Sequence, residues 1–400
     1  MLFKNFRNLF SIKPVLAVGL LFAVSSLLFG TWVAAIPSIK EKFAFTDGSL
    51  GLMLLLSPLG AITAVFLSTK VFSKIPIGKW MLAGYLSMCI IMILQINSVN
   101  RLMLGVCLYC FGLVSFLNGV STNATISIME KKYNRLLMSS CHALYSIGGA
   151  ISAGLAALMV ALHIVRGWQI VLVVAIIYTI MLSSRKLLLA NKDIIHSGSG
   201  IKLPSWTVLG ISFICMTLFM AEGCVADWSG IYFKEVLHAP RVFTSMGYGF
   251  FAVAMTIGRI NGDNMVSKTG NKKAVIGGCL LASAGFILVV STPLIFITLL
   301  GYITIGFGCS CIVPVLFRAS ANIPGLSRVE GFAMVTTGGL IGFLAGPSVI
   351  GFISEKVGLS AGLSLLIIMT LLAALVAWRN QFLGNRFTKP GDENFDEQLY

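Results

Sequence analysis

Apolar stretches long enough to cross a bilayer recur about every thirty residues along this 400-residue chain, and short polar segments between them gather most of the charge. The pattern predicts twelve helical crossings, at 14–36, 48–69, 79–98, 102–123, 138–164, 167–184, 205–226, 242–262, 274–291, 293–315, 331–354 and 357–378. Pro14–Ile36 and Gly48–Thr69 contain no Asp, Glu, Lys or Arg. At about 1.5 Å per helical residue, each reaches across a hydrocarbon core of about 30 Å. The uncharged run 274–317 is too long for one crossing, and Ser291-Thr292-Pro293 supplies the turn that divides it. The chain therefore reads as an all-α polytopic membrane protein.

Composition supports this reading. The chain is 57% hydrophobic and 11% charged, where a soluble domain carries about 25% charged residues. The net charge of +15 would suit a nucleic-acid partner if the basic residues were clustered for it. They are sorted by side instead. With the N-terminus in the cytoplasm, 22 of the 29 Lys and Arg residues fall on the inner side, including Lys4, Arg7, Lys13, Lys70, Lys74, Lys131, Lys132, Lys272 and Lys273. That bias follows the positive-inside rule and places both termini inside. The charge is thus a topology signal, and no nucleic acid is expected as a partner. The run 14–36 is longer than a signal-peptide core of about 7–15 residues and reads as the first permanent helix. The nine cysteines lie almost entirely in apolar segments, where free thiols pack as small hydrophobes, Cys107-x-x-Cys110 included. No metal site or cofactor is expected.

The polar stretch 185–204, with Arg185-Lys186 and His196-Ser-Gly-Ser-Gly200, divides the chain into a half at 1–184 and a half at 205–380 and has the composition of a cytoplasmic linker. Residues 381–400 form a polar, then acidic, tail of disordered composition. The halves echo each other. Ser146-x-Gly148-Gly149 precedes Thr336-x-Gly338-Gly339 by 190 residues, Gly78-Lys79 precedes Gly270 with Lys272-Lys273 by 192, and Phe111-Gly112 precedes Phe307-Gly308 by 196. Three matches at nearly one offset favour a duplicated six-helix unit, giving two pseudo-symmetric six-helix bundles.

After segment eight stand Gly258-Arg259-x-x-Gly262-Asp263 and Lys268-x-Gly270-x-Lys272-Lys273. Together with the six-plus-six pattern, this resembles the cytoplasmic signature of the major facilitator superfamily. The matching loop after segment two keeps Lys70, Lys74, Gly78 and Lys79 but lacks the acid. Smaller blocks are similar to a bacterial inner-membrane branch of that superfamily: Gly30-x-Trp32 with Ile36-Pro37-x-Ile39-Lys40, Glu222-Gly223-x-x-x-Asp227-Trp228-Ser229, and Gly308-Cys309-Ser310-x-x-Val313-Pro314. The resemblance implies a monomeric carrier with a central cavity, which Ser310 would help to line.

Among fourteen acidic residues, Glu222 falls inside an apolar segment and Asp227 stands at the end of the same one. A carboxylate at membrane depth costs at least about 2.5 kcal/mol on insertion scales, so it faces protein or water and is a natural proton carrier. Glu222 lies about 24 Å along its helix from Trp206 and is the proton-coupling candidate; a structural hydrogen bond is the bland alternative. Asp227 reads as an outer gate or an interfacial anchor. Asn118 and Thr122 share a helix face, with Ser121 and Asn123 beside them, and His142 and Tyr145 open segment five. These residues, with Trp32, are candidates to line a substrate cavity, against the alternatives of interhelical polar contacts and interfacial anchors. Arg259 and Asp263, one turn apart, with Lys268, are candidates for a cytoplasmic gate.

No H-E-x-x-H, G-x-S-x-G or carboxylate cluster is present, so an enzyme is not expected. The evenly sized segments show no re-entrant filter of the kind channels carry. The expectation is a secondary active transporter working by alternating access, moving a small neutral or weakly cationic solute. Proton-coupled uptake leads, and proton-driven efflux of a lipophilic compound is the alternative. The few fixed cations at depth argue against phosphorylated or polyanionic solutes.

Overall fold

The structure, a computed structural model, describes residues 9–133, 135, 137–164, 167–190, 203, 205–320, 323, 326 and 328–384. The described residues form helices and turns with no strand. The helices are α1 (Lys13–Lys42), α2 (Asp47–Leu54), α3 (Leu56–Phe72), α4 (Ile77–Ile96), α5 (Arg101–Tyr133), α6 (Met138–Ala161) and α7 (Gly167–Leu189) in the first half. The second half holds α8 (Trp206–Ile231), α9 (Met246–Thr269), α10 (Asn271–Ser291), α11 (Ile295–Cys309), α12 (Ile312–Ser320), α13 (Arg328–Val357) and α14 (Leu359–Arg379). The pairs α2–α3 and α11–α12 each form one crossing, giving twelve.

Eleven crossings meet the length and apolarity that a bilayer demands. The twelfth, α9, falls short because Arg259, Asn261, Asp263 and Asn264 crowd its C-terminal half. Both split crossings have one cause. Pro58 and Pro314 lack the amide N–H that would bond the carbonyl four residues earlier, at Leu54 and Ser310, and the helix breaks there. The expected split at 291–293 is present between α10 and α11. Segments four and seven run on to Tyr133 and Ile231, past their expected ends. Arg185–Leu189, expected in the linker, continues α7. Linker residues 191–202 and 204 and tail residues 385–400 lie outside the described residues.

The packing is duplicated. In the first half α1 packs on α6 and α7, α3 on α5, and α4 on α5 and α7. In the second half α8 packs on α13 and α14, α9 on α11, and α10 on α11 and α14. The Gly echo has a structural counterpart: a Cβ on Gly148 would strike the carbonyl oxygen of Ala23, and a Cβ on Gly338 that of Ser212. Small residues here let backbones touch, which is how helices associate without a hydrophobic drive between them. The Phe-Gly echo is not equivalent, since Gly112 packs on Ser57 of α3 and Gly308 on Ala282 of α10.

The halves meet along α1–α8, α2–α13 and α6–α9. Contacts toward the face away from the termini define this seam: Pro37 on Gly230, Gly51 on the Pro347 carbonyl, and Ala153 on Gly249. Charges fasten the same face. Lys40 pairs with Asp47 and with Glu235 at 2.5 Å each, and Lys234 pairs with Glu41 at 2.7 Å. Ser354 donates a hydrogen bond to Asp47, and Ser348 donates one to the Gly51 carbonyl at 3.1 Å.

Candidate functional site

Two charged side chains meet deep in the seam. Arg259 of α9 donates from Nη1 to Ser146 Oγ of α6 at 2.8 Å, and its Nη2 stands 4.0 Å from Glu222 Oε2 of α8. One guanidinium thus spans the first half and the second. The side chains of Arg259 and Glu222 stay 18% and 20% exposed, so both face accessible space within the seam. Glu222 Oε1 is buried and has no hydrogen-bond partner among the described residues. At 4.0 Å and low dielectric the two charges attract strongly, yet no hydrogen bond locks them. A carboxyl placed so can exchange a proton, while the guanidinium stays charged throughout.

Helix periodicity puts His142, Tyr145 and Ser146 on one face of α6, toward this pair. His142 lies within electrostatic reach of Arg259, and Tyr145 within reach of both Arg259 and Glu222. Phe22 of α1 packs edge-on against the His142 ring at 5.2 Å. Beside them, a Cβ on Gly149 would stand 2.8 Å from both Ser26 Oγ and the Tyr248 hydroxyl, so polar groups from α1 and α9 converge on α6. Ser26 Oγ is buried, within reach of the Tyr145 and Tyr248 hydroxyls. Ser26 and Tyr248 carried no sequence signal, because a lone Ser or Tyr in an apolar segment is ordinary packing.

The other expected site residues lie elsewhere. Asn118 is fully buried and donates to Met88 Sδ of α4 at 2.9 Å, so it serves the α4–α5 contact. Thr122, also buried, bonds the Asn118 carbonyl at 2.8 Å, and Asn123 bonds the Gly119 carbonyl at 2.8 Å. Ser310, 2% exposed, bonds the Phe307 carbonyl at 2.7 Å and packs on Gly258. Trp32 is buried within the core. Asp227 is half-buried near the end of α8, without an ion pair among the described residues. Lys268 is exposed, and Asp263 sits one turn beyond Arg259 on α9, its side chain outside what the structure describes. Arg259, expected to serve a gate at the end of α9, reaches inward to Ser146 and Glu222. That location also supplies the fixed cation at depth whose scarcity underlay the solute expectation. Among the described residues no three His, Cys, Asp or Glu side chains converge as metal ligands.

Comparison with known proteins adds to this geometry. The sequence model of the Major Facilitator Superfamily matches residues 18–329. An uncharacterised MFS-type transporter from Yersinia pestis is 30% identical over 366 residues, covering 92% of this chain and 95% of that protein. Membrane protein MosC from Rhizobium meliloti is 26% identical over 365 residues, covering 90% and 88%. A crystal structure of a mutant form of the nucleoside transporter NupG superposes with a TM-score of 0.70 at 14% identity, covering 92% of this chain and 98% of that one, a likeness of fold alone.

Proposed function

The chain belongs to the Major Facilitator Superfamily, a membrane transporter and not an enzyme, and from that premise we propose that it is a proton-coupled secondary active carrier in which Glu222 takes up and releases the proton. The observation that carries this reading is the unlocked charge pair at the seam: Glu222 Oε1 has no hydrogen-bond partner among the described residues, and Glu222 stands 4.0 Å from Arg259. Alternating access requires contacts that hold one face shut and can be exchanged for contacts at the other. The ion pairs of Lys40 and Lys234 supply the first set. By the distribution of Lys and Arg, the termini face the cytoplasm, so this arrangement faces inward. The carrier works as a monomer in the bacterial inner membrane, with uptake as the proposed direction.

The load is a small solute of low net charge, neutral or weakly cationic rather than phosphorylated or polyanionic. One guanidinium already opposite a carboxylate cannot neutralise two or three negative charges. His142, Tyr145 and Tyr248 supply the remaining polar surface; Asn118 and Ser310, packed into helix contacts, supply none until the halves move.

The test is solute-induced proton flux in proteoliposomes, with sugars, polyols, amino acids and cationic dyes compared in wild type and Glu222→Gln. Flux that appears with one class and vanishes in the variant supports the reading. Equal solute movement in both, without protons, overturns the role of Glu222. Inward against outward accumulation separates uptake from efflux of a lipophilic compound.

A further inference from the structure

Arg259 is held less fully than a guanidinium in a helix contact requires. Among the described residues its five N–H donors make one hydrogen bond, to Ser146 Oγ at 2.8 Å, and its charge is balanced by Glu222 at 4.0 Å without a hydrogen bond. The Arg259 side chain keeps 18% of its surface accessible, so the guanidinium can be reached from within the seam. Resting on the proton-carrier reading above, a proton on Glu222 removes the only negative charge near Arg259 among the described residues. The titratable side chains within electrostatic reach of the pair among the described residues are His142 and Tyr145 from α6, Tyr248 on α9, Cys215 on α8 and Cys309 on α11, none of them a carboxylate, and the side chain of Asp263, one turn along α9, lies outside what the structure describes. A guanidinium left unpaired in this interior is strongly unfavourable, and an anion entering the seam would supply a partner that no other described side chain offers.

We infer that the solute carries a single carboxylate, which pairs with the free donors of Arg259 in place of Glu222 while Glu222 holds the proton. Guanidinium and carboxylate match in a planar, two-point contact, which an alcohol or amide cannot reproduce. This narrows the solute of low net charge to a monocarboxylate, neutral overall because the anion and its proton are carried together, and sets the cationic option aside. The loaded site carries the same net charge as the empty one, where Arg259 and Glu222 cancel. Proton and anion bind cooperatively, because each removes the unpaired charge the other would leave. A dianion would leave one charge unmatched and is disfavoured.

The experiment measures binding to the full-length protein in lipid nanodiscs by thermal shift and tryptophan fluorescence. Acetate is the probe, as the smallest carboxylate, and acetamide is its uncharged isostere. Acetate is expected to stabilise wild type more at about pH 6 than at about pH 8, where both probe states are constant, and acetamide to do nothing at either. Arg259→Gln should lose the acetate effect, by at least about tenfold in affinity. Arg259→Lys, which keeps the charge and loses the two-point geometry, should weaken it by several-fold and answers the question if Arg259→Gln does not fold. Glu222→Gln, a fixed neutral mimic, should bind acetate equally at both pH values. Absence of an acetate-specific shift in wild type, or its persistence in Arg259→Gln, overturns the inference. Acetate binding that is independent of pH in wild type and abolished by Arg259→Gln keeps the anion site and removes the proton-carrier reading instead.

Discussion

Lys40, at the end of α1, and Glu235, just beyond α8, form a 2.5 Å ion pair that ties the two halves together at the face away from the termini. Lys40 also holds Asp47 at 2.5 Å, so one ammonium joins α1, α2 and the second half. Glu235 is 41% exposed, and solvent screening reduces the pair to about 0.5–1 kcal/mol. That is still enough to bias an equilibrium between faces by about two- to fivefold.

Glu235→Gln is therefore expected to populate the state open at that face. A cysteine placed at Thr244, which is buried near this seam, should be alkylated about two- to fivefold faster in Glu235→Gln than in the parent. All nine native cysteines are buried or half-buried, which keeps the background low. Unchanged labelling would remove the clasp role.

Gly148→Ala and Gly338→Ala should each lower stability by about 1–3 kcal/mol, because the added methyl meets a backbone carbonyl that cannot move aside. Gly154→Ala, whose Cβ would meet nothing within 4 Å, is the control and should melt like the parent. Detergent melting curves of the three variants decide this, and equal curves would refute the close-contact account.

Gly270 ends α9 at φ +84 with ψ 158, a conformation essentially reserved for glycine, and has nothing within 4 Å of a would-be Cβ. Gly270→Ala isolates backbone strain from crowding. It should cost about 1–3 kcal/mol in unfolding while leaving solute affinity at the seam unaltered. An undiminished melting temperature would show that the turn relaxes freely.

Asn118→Ala should weaken the α4–α5 contact by about 1 kcal/mol or less and leave the transport KM unchanged. His142→Gln, beside Arg259, should raise KM with little effect on melting. The reverse pattern, with Asn118 controlling KM, would put the solute among α4 and α5 and contradict the site described above.

The crossings are legible in the sequence because a run of membrane length with at most one charge has no other physical home, and Thr292-Pro293 marks the division of the longest run. Glu222 stands out for the same reason inverted: a carboxyl in such a run needs a partner or water. What one-dimensional reading cannot supply is helix rotation. Asn118 and Thr122 share a face, but that face turns to Met88 and not to the seam. Arg259 lies four residues from Asp263, a spacing that suggests a pair at the helix end and gives no hint of its 2.8 Å bond to Ser146, 113 positions away in the chain. Spacing along one helix predicts neighbours on that helix only, whereas the seam assembles residues from α1, α6, α8 and α9.

The two breaks set by Pro58 and Pro314 bear on how such a carrier moves. At Leu54 and Ser310 the carbonyl four residues before each proline has no amide donor to lose. A crossing can tilt there without sacrificing a backbone bond, whereas bending an intact helix in lipid would strand both a donor and an acceptor. The second and tenth crossings thus behave as jointed rods. Their outer and inner pieces can follow different neighbours while the chain stays continuous, and the rest of each bundle can turn as a solid body around them.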